Sequence, residues 1–130
     1  MKLNCLLIIG AVMTLVVGLT LLIAPAWLAS LFGVSGAEAT LAVVYARLWG
    51  AAFLGFSALN WLGRNVAEGS ARQAIILSNL LMDAIGFVVT LIAQLANVAN
   101  VAGWIVVALY LLFALGFGWF AAQKPPAASA

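Results

Sequence analysis

Four apolar runs of about 20 residues each, parted by short polar or Gly/Pro-containing breaks, decide what this chain can fold into. Roughly 20 helical residues cross a 30 Å hydrocarbon core. Of 130 residues, 68% are hydrophobic and only 6% are charged, whereas a soluble domain carries roughly 25% charged residues. So few charges cannot cover a water-facing surface, and the surrounding medium must be lipid. The runs consume most of the chain and leave no room for a separate soluble domain. The expected fold is all-α, a single polytopic membrane domain over residues 1–122 with four transmembrane helices at about 5–24, 39–61, 73–96 and 102–122. Residues 123–130 form a Pro/Ala tail expected to be disordered.

Along the chain, Lys2 precedes segment one, in which Gly10, Thr14 and Gly18 recur every fourth residue and form a stripe that admits a close neighbour. Ala24-Pro25-Ala26 resembles a signal-peptide cleavage site. The apolar run before it is longer than the 7–15 residues typical of a signal core, so an uncleaved helix is expected. Pro25 then ends one helix and suits the first turn of the next. Trp27, Leu28, Leu31 and Phe32 share one side of a short helix suited to the membrane interface, with Gly33 as its stop. Segment two holds Arg47 with Gly50, Ala51 and Ala58 on the same side and Gly55 at its flank. Small residues mark packed faces of membrane helices, so Arg47 is expected to point into the bundle. Segment four is uncharged, with Tyr110 and small residues at Ala114 and Gly118.

Segment three carries a polar stripe. Counting about 100° per residue from Asp83, residues Asn79, Gly86, Thr90, Gln94 and Asn97 fall within roughly 60° of it. Unpaired polar groups cost several kcal/mol each in hydrocarbon, so this stripe must face protein or water. Arg47 and Asp83 are the ionisable charges inside the apolar segments, and their depths allow an ion pair that Asn79 and Tyr110 would complete. Two roles are open to such a pair. It could hold helices two and three in register, or it could form a ligand or ion site whose vestibule opens outward past Thr90 and Gln94.

Cations give the orientation. With four crossings, Lys2, Arg64, Arg72 and Lys124 fall on one side, and Glu38 lies on the other. The positive-inside rule then puts both termini in the cytoplasm of a bacterial inner-membrane protein. Trp61 and Trp119 fit the inner boundary, and Trp27 and Trp104 the outer one. The five cations form no basic cluster, so no nucleic-acid partner is expected. Cys5 stands alone and there is no His, which leaves no disulfide, no metal-ligand set and no nucleophile–base pair. No catalytic residue, cofactor or metal is expected.

Ala46-Arg47-Leu48-Trp49-Gly50, followed by Phe53-Leu54-Gly55, resembles helix two of the small bacterial four-helix membrane proteins grouped as DoxX-like. The resemblance implies a four-helix membrane fold. Some members of that group are membrane subunits of oxidoreductases, but no catalytic residue of theirs transfers to this sequence. The expected function is that of a non-enzymatic accessory or oligomeric bundle that binds a protein partner or lipid, as a homo-oligomer or within a larger complex. The alternative is a small-solute or ion transporter built on Arg47 and Asp83.

Overall fold

The computed structural model describes residues 2–34 and 40–123. The described chain is all-helical: α1 (Leu3–Ile23), α2 (Pro25–Leu31), α3 (Thr40–Gly63), α4 (Ser70–Leu95) and α5 (Gly103–Ala122). Four of these helices, all but α2, are long and apolar enough to cross a membrane. The expected fold class holds, and each long helix lies within a few residues of its expected bounds. Residues 35–39, Glu38 among them, and the tail beyond Gln123 lie outside the described residues.

Local chemistry sets the helix ends. Pro25 occupies the first turn of α2, where its missing N–H is no loss. Gly33 adopts a positive φ of 72°, and the Val34 N–H closes back on the Ala29 carbonyl, the six-to-one bond that ends a helix through a left-handed residue. Asn97 repeats the device at the end of α4, with φ 56° and the Val98 N–H on the Ala93 carbonyl. Asn97 is therefore a helix stop rather than the last member of the polar stripe, a role that asparagine tolerates better than most residues.

The long helices run up and down and associate as two close pairs, α1 with α3 and α4 with α5. In the first pair the backbones touch. A Cβ on Gly50 would lie 2.8 Å from the Gly18 carbonyl oxygen, and one on Gly18 2.9 Å from that of Gly50. The Ser57 hydroxyl donates to the Ala11 carbonyl at 2.8 Å across the same interface. In the second pair Gly86 receives the Tyr110 ring. Gly103 makes room for Gln94, whose amide donates to the Asn100 carbonyl at 3.1 Å.

The two pairs join mainly at the end that carries residues 3 and 122, where Leu3, Leu6 and Leu7 pack on Ile76 and Phe117. At the opposite end a polar staple holds α2 down. The Asn100 N–H donates to the Phe32 carbonyl at 2.8 Å, and its side-chain amide donates to the Leu31 carbonyl at 3.1 Å.

Candidate functional site

A buried polar ladder runs up the middle of the bundle. Asn79 on α4 and Asn60 on α3 exchange two amide hydrogen bonds of 2.7 and 3.0 Å, and each residue is 1% exposed. The second Asn79 amide proton donates to the Ile75 carbonyl. This reciprocal bond is the main polar tie between the two helix pairs. One turn above it lies Asp83, 4% exposed, whose Oδ2 has no hydrogen-bond partner among the described residues. Tyr110, against Gly86, is the next residue up the ladder. Thr90 and Thr14 turn their hydroxyls onto carbonyls of their own helices, each at 2.7 Å. Gln94 is buried and bonded to the 99–100 loop. The stripe thus ends in a plug rather than in an open vestibule.

Arg47 corrects the expected pairing. Its side chain is exposed on the outer surface of α3. The ion pair among the described residues is Arg72 with Glu68, at 3.7 Å near the start of α4. The reason lies in side-chain length. A long arginine stem can run along lipid and carry its charge toward the interface, whereas the short Ser57 and Asn60 must face protein. Ser57 and Asn60, three residues apart and well away from Arg47 on the helical wheel, were the informative signal for turning α3. Among the small residues, Gly10, Thr14, Gly18 and Gly50 pack between helices, and Gly118 sits near Leu80. Ala114 is half-buried. Ala51 and Ala58 are exposed, and Gly55 has open space where a Cβ would stand.

This geometry makes a stability prediction. Had the two charges paired, either single change would strand a buried charge at about 3–5 kcal/mol, and the double change would rescue it. With the two apart, Arg47→Met should change stability by less than about 0.5 kcal/mol. Asp83→Leu removes an orphaned acceptor worth about 1–3 kcal/mol, so it should leave the protein as stable as the parent or more so. Melts of both singles and the double in detergent should show additive effects. A double variant more stable than the sum of the singles by several kcal/mol would mean that the residues meet.

Beside the ladder, α3 and α4 part to leave a cleft of about 510 Å³. Trp49, Phe53 and Phe56 form the α3 wall, Ser78, Ile85 and Thr90 mark the α4 wall, and Tyr110 closes the back. Trp49 and Phe53 meet edge to face at 6.4 Å and stiffen their wall. The rim is open sideways, since Leu81 and Trp49 are both 63% exposed. The lining is apolar except for three hydroxyl-bearing side chains, and the Thr90 hydroxyl is already bonded within its own helix. Tyr110 links the two features, because it lines the cleft and packs one turn above Asp83.

Residues 1–121 match the family model of a domain of unknown function, DUF8292. The chain belongs to that family. No curated protein and no solved structure matches it. For this DUF8292 member, any functional reading therefore rests on the cleft and the polar ladder themselves.

Proposed function

We propose that this protein is a non-enzymatic membrane bundle that holds a membrane-embedded ligand, a lipid or a partner's transmembrane segment, in the lateral cleft between α3 and α4. The observation that carries this reading is the cleft itself, walled by aromatic residues and rimmed by exposed apolar ones at mid-helix. An accessory role fits the same picture, as does the likeness of Ala46 to Gly55 to DoxX-like proteins. The orphaned Asp83 oxygen favours a second reading, ion or small-solute transport, in which Asp83 and Tyr110 rather than Arg47 carry the site. We place the protein in a bacterial inner membrane with both helix termini cytoplasmic. Arg64, stacked on Trp61 with 3.9 Å to the ring centroid, and the Arg72–Glu68 pair support this side as the charged interface.

A photoreactive residue at Ser78, irradiated after detergent purification, tests the leading reading. An adduct of a retained lipid or partner is expected at Ser78, with none at Ala51, where loosely held lipid is washed away. Detergent adducts alone at both positions would contradict it. Flux by the protein alone in liposomes, abolished by Asp83→Leu, would favour transport.

A further inference from the structure

We infer that Asp83 is a reversible binding site for one monovalent cation, a proton or an alkali ion, in the middle of the bundle. This deepens the second reading above, and it stands whether or not the cation crosses the membrane. Asp83 lies about 18–20 Å of helix from either end of α4, which puts it near the midplane of a spanning helix. It is 4% exposed, and its Oδ2 has no hydrogen-bond partner among the described residues. An ionised carboxylate at that depth is an uncompensated charge in an apolar medium.

The protein brings no side chain to compensate it. On α4 the other charged residue is Arg72, about 16 Å away along the helix and paired with Glu68 at 3.7 Å. On α3, Tyr45 and Arg47 are exposed, and on α1 Cys5 is exposed. Helix α5 offers Tyr110, a neutral phenol whose ring rests on Gly86. The hydrogen-bond donors of the stripe are committed elsewhere. Asn79 spends its amide protons on Asn60 and Ile75, Thr90 its hydroxyl on Gly86, and Gln94 its amide on the 99–100 loop. A buried acid kept only for structure is normally held by such donors. The charge of Asp83 is left to a cation from outside the protein. One carboxylate matches one positive charge. A divalent ion needs further acids, and no group of three His, Cys, Asp or Glu gathers among the described residues.

Asp83 is the only aspartate of the chain, so isotope-labelled aspartate reports on it in the unmodified full-length protein. The protein in lipid discs is titrated from acid to alkaline pH in choline chloride, then with NaCl or KCl at fixed pH, while the side-chain carboxyl resonance is followed by NMR. The ratio of cation-bound to free signal should change about tenfold for each tenfold change in the concentration of one cation, as for a single site. A response to pH alone assigns the proton. A saturating response to Na+ or K+, absent with choline, assigns an alkali ion. A resonance that stays constant throughout, or that moves equally with choline, overturns the proposal and makes Asp83 a fixed structural acid. Flux in liposomes tests the transport reading separately. Binding without flux rejects transport and keeps the site, whereas flux with a carboxyl resonance that never moves rejects the site and leaves transport standing.

Discussion

Gly50→Leu is expected to abolish the folded bundle, or at least to cost more than about 3 kcal/mol, beyond the usual 1–3 kcal/mol of an overpacked core. The reason is the identity of the obstructing atoms. A Cβ on Gly50 meets the Gly18 carbonyl oxygen at 2.8 Å, and the Leu21 and Leu22 side chains close in at 3.1 and 3.0 Å. A backbone oxygen cannot rotate away, so the two helices must separate along their length. Separation would also break the Ser57 bond to Ala11 and leave the Ser57 hydroxyl without its partner in an apolar medium. The same substitution at Gly55, where nothing lies within 4 Å, should be tolerated. Circular dichroism melts and the monodisperse fraction after detergent extraction check both. Equal damage at the two positions would show that close approach of the α1 and α3 backbones does not govern the effect.

That contrast marks where the sequence was legible. Four runs of the right length gave the number of long helices, and Pro25 and Gly33 gave the bounds of the short one. The four-residue spacing of Gly10, Thr14 and Gly18 was a sound guide to packing, because a small-residue stripe has few other uses in lipid. In segment two the same rule misled, since small residues line both the packed and the exposed faces. Arg47 beside Gly50 and Ala51 suggests an inner face, but a long charged side chain has an escape along the lipid that a short amide lacks. Asn60, which ties the helix pairs together through Asn79, carried the better information.

The polar stripe of α4 was legible as an inward face, and Asn79, Asp83 and Gln94 are all buried. What it touches was not, because periodicity turns one helix and says nothing of its partner. The cleft was beyond reach for a related reason. It arises from the spacing between α3 and α4, which meet at Asn60 and Asn79 and part above them. Above that point Trp49, Phe53 and Phe56 face the gap instead of packing on α4. No count of apolar residues encodes that.

The polar ladder and the cleft act together in this account. Asn60 and Asn79 fix the point where the pairs join, and the cleft begins where that constraint ends. A protein built this way should depend on its ligand for part of its stability, because the ligand supplies contacts that the two walls cannot give each other. Binding to the folded state alone stabilises it by about 2.7 kcal/mol when the ligand stands at about 100 times its dissociation constant.

The most direct measurement is therefore the melting temperature of delipidated protein in detergent, titrated with phospholipid, for the parent and for the chain carrying Ala52→Phe and Ser78→Leu, which fill the cleft from both walls. The parent should melt several degrees higher as lipid is added and then level off. The filled variant should start no lower than the delipidated parent and stay flat across the titration. Equal responses in the two proteins, or none in the parent, would contradict a lipid-holding cleft between α3 and α4.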